Sequence, residues 1–226
     1  MVTKSEVLEA NRWIVAQGLV KLTWGNVSAL SDDKTAIIIK PSGLALDNAT
    51  PDDMSVVSLE GELLGGQKPS VDTPTHLELY ECFPTIGCVV HTHSKYGTIF
   101  AQANRPIPCL GTTHADYFSG DIPCIPHPNR AEVEEEYEIA TGRIIGEYFR
   151  ENGLDYNQIP ACIVQGHGVF VWGETGNKTL ESAYVLELVA EMALNTLLLE
   201  PHSHLADYVA EKHFSRKHGQ TSYYGQ

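Results

Sequence analysis

The chain has 226 residues, of which 42% are apolar and 19% charged, enough to bury a core and too apolar for a disordered chain. Lys and Arg total 15 against 29 Asp and Glu, giving a formal net charge of −14. That balance excludes non-specific binding to nucleic acid or an anionic membrane, so any bound phosphate must sit in a local, structured site.

Ser5 to Gln17 reads as a helix, with Ser5 as its cap, Val7, Leu8, Ile14 and Val15 at roughly helical spacing, and Gly18 to end it. Thr23 to Ser28 and Lys40 to Gly43 read as short glycine-containing turns, and Ala36 to Ile39 between them as a buried strand. Ser55 to Leu59 is one arm of a hairpin, and Thr73 to Cys82 a helix with Pro74 in its first turn. Ile86 to His93 is a strand, after which Ser94 caps a helix to about Ala103. Ala131 to Arg150 is helical. Ala161 to Trp172 forms two short strands around a turn with Gly166 and Gly168. Lys178 to Glu200 and Leu205 to Lys217 are the last helices. Interleaved helices and strands make the class mixed α/β. There is no internal repeat or long linker, so one domain over residues 1–226 is expected. The apolar runs IGCVV and VLELVAEMALNTLLL are too short or too interrupted to span a bilayer, and MVTKSEVLEANRW lacks the apolar run of a secretory signal; a cytoplasmic location is expected. Five scattered cysteines with no CxxC suit reduced thiols. No GxGxxG or GxxxxGK[ST] follows a strand, which leaves a dinucleotide or P-loop site without support.

The sharpest chemical pattern is His91-Thr92-His93 at the end of an apolar strand. Side chains two apart in a strand share a face, so both imidazoles can meet one metal ion. His167, between Gly166 and Gly168, is the best candidate for a third ligand, and three histidines with an open position suit catalytic zinc. An HxH pair alone more often describes two surface or satisfied histidines, and the glycine-flanked third histidine improves the metal reading without settling it. Asp72 stands just before the helix at Thr73, where it reads first as a cap and second as a carboxylate beside the metal. His76, one turn on, reads as packing or as support for the site. The turns around Gly25, Asn26, Lys40, Ser42 and Gly43 can offer amides, hydroxyls and one lysine to a phosphate. Asp116, in a polar cluster between proline-rich flanks, reads as a turn residue or a general acid/base. The Tyr223-Tyr224 pair near the end reads as a docking element or a loose tail.

Taken together, TWGNVS, IKPSG, the Ser-x-Asp-Thr-Pro-Thr-His segment, VVHTHS, GTTHADYF and the final KHG and YYGQ resemble, in order, the motifs of the class II aldolase/adducin superfamily, in its L-ribulose-5-phosphate 4-epimerase branch. The resemblance runs from about Val7 to Gln226. It implies a three-layer α/β/α domain around a mostly antiparallel sheet, assembled as a homotetramer with sites between subunits. It implies zinc held by His91, His93 and His167 with Asp72 beside it. Gly25, Asn26, Ser42, Gly43, Ser70 and Val71 would line the phosphate pocket, with Lys40 and His213 at further family positions. Asp116 and Tyr224 would form the acid/base pair, Tyr224 coming from the adjacent subunit. The family usually has a second serine where this chain has Val71. The implied reaction interconverts L-ribulose 5-phosphate and D-xylulose 5-phosphate by cleaving and remaking C3–C4. A class II sugar-phosphate aldolase, a non-catalytic adducin-like module and a zinc hydrolase are the alternatives; Asp72, HADYF and YYGQ favour the epimerase, and the three histidines argue against the module.

Overall fold

The computed structural model describes residues 2–219, 222 and 223. Helix α1 spans Lys4–Ala16, and its cap is Thr3 rather than Ser5: the Thr3 side chain accepts from the Glu6 amide while Glu6 reaches back to the Thr3 amide. Strand β1 (Gly25–Leu30) lies where the sequence suggests a turn. There follow β2 (Ala36–Ile39), the β3 (Ser55–Ser58) and β4 (Leu63–Gly65) hairpin, α2 (Thr73–Cys82), β5 (Cys88–Thr92) and α3 (Lys95–Gln102). A one-turn α4 (Thr112–Ala115) and a short β6 (Cys124–Ile125) precede α5 (Arg130–Glu151), β7 (Ala161–Val164), β8 (Val169–Gly173), α6 (Gly176–Leu199) and α7 (Asp207–His218).

The eight strands form one sheet in the order β4-β3-β2-β1-β5-β8-β7-β6, antiparallel except for the β6–β7 pair. Strand alternation sends successive side chains to opposite faces. Val27, Val90, Ile163, Val169 and Val171 point to one face, where Ile14 of α1, Phe100 of α3 and Leu186 and Val189 of α6 bury them. Ile37, Ile39, Val89, Val164, Phe170 and Trp172 point to the other, against Leu79 of α2 and Ile145 and Phe149 of α5. The result is the three-layer α/β/α arrangement that the resemblance implies. Helix α6 has the length and composition of a membrane span, yet Val185, Leu186, Val189 and Ala190 are buried against the sheet and neighbouring helices.

Strand β1 is central, and its sequence alternates in the unexpected sense. Val27 and Ala29 face the α1 side, whereas Asn26 and Ser28 are fully inside on the α2 side. A run with two buried polar residues does not look like core, which is why it reads as a turn.

Candidate metal centre

The centre forms at the end of the sheet where β5 finishes and β8 begins. His91 lies on β5 between Asn26 of β1 and Phe170 of β8 in register, with its ring stacked on Phe170. The His91, His93 and His167 ring centroids are 5.0, 4.9 and 5.1 Å apart, each pair edge-on. One nitrogen from each ring falls within a 4.8 Å cluster. Nitrogens about 2.0–2.1 Å from a tetrahedral zinc stand about 3.3 Å apart, and the Nε2 atoms of His91 and His93 are 3.2 Å apart. The His91 Nδ1–H donates to the Val169 carbonyl at 2.9 Å, which leaves Nε2 with a free lone pair. His167 Nδ1 meets the Tyr137 hydroxyl at 3.2 Å. Burial pushes His91 down to about 4 and His167 to about 3, and lowers His93 in the same direction. All three are therefore neutral near pH 7, the state in which imidazole binds a metal. The donor set, its spacing and its protonation fit a divalent ion of the zinc type.

Gly168 lets the β7–β8 turn press against this pair of histidines. A Cβ there would lie 2.7 Å from the Thr92 carbonyl oxygen and 3.2 Å from His93 Cδ2. Gly25 does the same from β1: its φ is +146°, and a Cβ would meet the His91 carbonyl oxygen at 2.8 Å.

Asp72 precedes α2 but makes no side-chain cap bond. Its Oδ2 instead accepts from Asn26 Nδ2 at 2.6 Å and Ser70 Oγ at 3.2 Å. Burial raises this carboxyl, but the facing His91 and His76 rings and the Asn26 amide outweigh burial and hold it below its usual range. Asp72 thus stands beside the histidines, while the ligand-distance cluster itself is the three rings.

The expected phosphate-pocket residues come together where β1 and β2 part. Asn26 Nδ2 also donates to Ser70 Oγ at 3.1 Å, and the Ser70 amide donates to the Lys40 carbonyl at 3.1 Å. The Ser42 amide donates to the Lys68 carbonyl, which completes the link between the two segments. Gly25, Asn26, Lys40 and Ser70 are buried; Ser42, Gly43 and Val71 are exposed at the rim. Burial lowers the Lys40 ammonium, and the Asp72 charge opposes that shift. Asn26 Oδ1 is buried without a partner among the described residues, an acceptor available to an incoming donor.

Asp116 is not gathered into this cluster. It follows α4, and its carboxylate is gripped by α7: Arg216 donates from Nε and Nη2 at 3.0–3.2 Å, and His213 Nδ1 lies at 3.0 Å. Tyr224 lies outside the described residues. Arg216, the Tyr137 contact to His167 and the Ser28 and Tyr80 partners of His76 were missed from sequence, whereas His76 itself was read as packing or support for the site. Arg216 and Tyr137 sit on ordinary amphipathic helices and carry no local motif. Asp72, His76 and Tyr80, four apart on α2, did carry a helical-face signal. A cavity of about 960 Å³ opens elsewhere, between α1 and the start of α6 around Trp13, Leu180 and Tyr184, and includes none of the expected site residues.

With the geometry in hand, comparison with known proteins is direct. The family profile described as "Class II Aldolase and Adducin N-terminal domain" matches residues 5–194. L-ribulose-5-phosphate 4-epimerase UlaF from Salmonella paratyphi C (strain RKS4594) is 46% identical over 99% of this chain and 98% of its own length; the protein of the same name from Salmonella choleraesuis (strain SC-B67) is equally similar. Among solved structures, an L-fuculose 1-phosphate aldolase superposes with a TM-score of 0.79 at 20% identity, covering 95% of each chain. The L-fuculose-1-phosphate aldolase of Thermus thermophilus gives 0.67 at 22% identity, covering 90% of this chain and 98% of that one. These structures share the fold, the sequence relatives share nearly half of all residues end to end, and the chain belongs to the class II aldolase/adducin family.

Proposed function

We propose that the chain is a zinc-dependent L-ribulose-5-phosphate 4-epimerase of the cytoplasm, interconverting L-ribulose 5-phosphate and D-xylulose 5-phosphate. The observation that carries this reading is the 46% identity over 99% of the chain to relatives of that name. The convergence of three neutral imidazoles on one point supports the metal-dependent route.

The hydrogen on C4 is one bond too far from the C2 ketone to be acidic. Inversion there instead follows from breaking C3–C4, turning the aldehyde over and remaking the bond. Held by His91, His93 and His167, zinc would supply a Lewis acid for the negative charge that develops as C3–C4 breaks. Asn26, Lys40 and the Ser42 and Ser70 hydroxyls, with the amides of Gly43 and Val71 and the closely approaching backbone at Gly25, hold the phosphate so that the aldehyde half turns without escaping. Val71 keeps its amide but brings no hydroxyl, a difference of about 1 kcal/mol for one hydrogen bond. Asp116 and Tyr224 take the C4 hydroxyl proton on one route and return it on the other, which two groups on opposite sides of the aldehyde do better than one. Asp72, held by Asn26 and Ser70, would stand beside the bound ion. In this reading Tyr224 comes from the adjacent subunit of a homotetramer, with shared sites.

The test is NMR of L-ribulose 5-phosphate with the enzyme, with and without chelator, and of L-fuculose 1-phosphate in parallel. D-xylulose 5-phosphate forms only in the metal-loaded sample. Release of lactaldehyde from the second substrate, with no epimer from the first, makes the chain an aldolase. Full activity after metal removal overturns the zinc assignment.

A further inference from the structure

Helix α5 is broken near its start. Glu136 has φ −153° and ψ 51°, outside the helical range, and the helix resumes directly after it. The arm before the break faces solvent: Arg130, Ala131, Val133, Glu134 and Glu135 are exposed. Past the break the helix buries the stripe Thr141, Ile145 and Phe149, and Tyr137 heads that stripe one turn earlier. Arg143 holds the two parts together, donating to Glu136 at 2.9 Å and to Glu132 at 3.1 Å. In an unbroken helix Glu132 and Arg143 would stand about 16 Å apart along the axis, too far for an ion pair. The contact to Glu132 therefore exists only because the first arm folds back.

The backbone just past the break is pinned. Thr141 Oγ1 donates to the Tyr137 carbonyl and Thr75 Oγ1, from α2, to the Glu138 carbonyl, each at 2.7 Å. Gly142 lets α2 come this close: a Cβ there would lie 2.8 Å from the Thr75 carbonyl oxygen and 2.5 Å from Glu78 Cβ. This frame carries the Tyr137 hydroxyl to 3.2 Å from His167 Nδ1, with the two rings 5.9 Å apart. His91 is held differently, by the Val169 carbonyl. A carbonyl only accepts, so His91 keeps its hydrogen on Nδ1 with or without an ion. A hydroxyl can donate or accept, so the Tyr137 contact suits His167 in either state. With Nδ1 facing Tyr137, the nitrogen left for an ion is Nε2. A neutral ring bound through Nε2 carries its hydrogen on Nδ1 and donates it to the tyrosine.

We infer that Tyr137 is a positioning residue: its hydroxyl accepts the His167 Nδ1–H and keeps His167 Nε2 turned toward His91 and His93. This rests on the reading of the three histidines as the zinc site. It also accounts for the break in α5, which sets the tyrosine against the ring.

The test reads zinc affinity, by competition with a chromophoric chelator, on full-length wild type, Tyr137→Phe, His167→Ala and the double variant. Tyr137→Phe removes one oxygen from a half-buried side chain and keeps the ring, so the metal-free variant melts within a few degrees of wild type. Its zinc affinity falls about 10-fold. His167→Ala loses more, and the double variant binds no more weakly than His167→Ala alone, because Tyr137 acts through His167. Wild-type zinc affinity in Tyr137→Phe, or losses that multiply in the double variant, overturn the inference. A metal-free Tyr137→Phe that melts far below wild type also overturns it, by making the tyrosine a packing residue. If zinc-loaded wild type fails to epimerise L-ribulose 5-phosphate, the functional reading falls while the coupling of Tyr137 to His167 is still read from the titration.

Discussion

Replacing Gly168 by alanine tests whether the three histidines meet because the β7–β8 turn is pressed against β5. The added Cβ would sit 2.7 Å from the Thr92 carbonyl oxygen, 3.2 Å from His93 Cδ2 and 3.6 Å from His91 Cε1. An acceptable carbon–oxygen contact is about 3.3 Å, so the turn must withdraw by about 0.6 Å. Metal–ligand distances tolerate about 0.2 Å, so a turn that carries His167 outward by three times that amount pulls one ligand off the ion. Overpacking of this kind costs about 1–3 kcal/mol of stability. Gly166 provides the control in the same turn. Its φ is +67° with nothing within 4 Å of a Cβ, so Gly166→Ala costs about 1 kcal/mol of backbone strain without pushing on the rings. Urea unfolding and zinc titration of both variants are the assay. Gly168→Ala loses at least 10-fold in zinc affinity, and Gly166→Ala loses stability with little change in zinc. Wild-type zinc affinity in Gly168→Ala, or equal losses in both, refutes the argument.

Zinc at 100 times its Kd raises the stability of the stripped protein by about 3 kcal/mol, and a melting temperature indifferent to zinc in calorimetry removes the triad as a site. In the zinc-free protein, burial holds His91 and His114 down at about 4 and His76 and His167 at about 3. The unfolded chain protonates these rings near pH 6.5, so it binds more protons on acidification; stability is level above about pH 6.5 and falls toward pH 4 by about 1 kcal/mol per pH unit for each ring. A urea midpoint unchanged from pH 7.5 to pH 5 contradicts this. None of the residues of α7 is buried, and the Asp116 cluster ties the helix to α4. Arg216→Ala therefore speeds limited proteolysis within 206–219 at least 10-fold while the body of the protein melts within a few degrees of wild type; an unchanged cleavage rate shows that other contacts hold α7.

Most elements were legible because their signals are local. The four isoleucine-rich positions of β2, the Pro74 start of α2 and the Pro201 stop after α6 each depend on residues next to the boundary. The three histidines were legible as well, because a strand period puts two of them on one face and paired glycines mark the turn that brings the third. What the sequence hid depends on partners far along the chain. Asp72 reads as a helix cap because it stands where caps stand; its actual partner, Asn26, is 46 residues away. Asp116 reads as a turn residue or a base, and the Arg216 that grips it is 100 residues on. Strand β1 was hidden for the same reason, since its buried polar side chains make sense only against α2.

The parting of β1 from β2 explains how such a strand survives in the middle of a sheet. β2 ends at Ile39, opposite Ser28, so Val27 has no strand partner on that side. Asn11 of α1, fully buried, fills the gap: its Oδ1 accepts from the Val27 amide and its Nδ2 donates to the Val27 carbonyl. The main chain is thus satisfied from the α1 side, and the space that β2 vacates on the other is taken by the 68–72 segment, paired to Lys40 and Ser42. A sheet that simply continued would bury Asn26 against apolar neighbours, at a cost of about 1–3 kcal/mol for each polar group left unmatched. Opening the sheet by one strand instead brings Ser70 and Asp72 onto Asn26, the register neighbour of His91 on β5. The polar residues of β1 are therefore tolerable only because β2 stops early, and an Asn11→Ala change, which leaves the Val27 amide and carbonyl buried and unpaired, is transmitted to the site through the strand rather than through any contact with it.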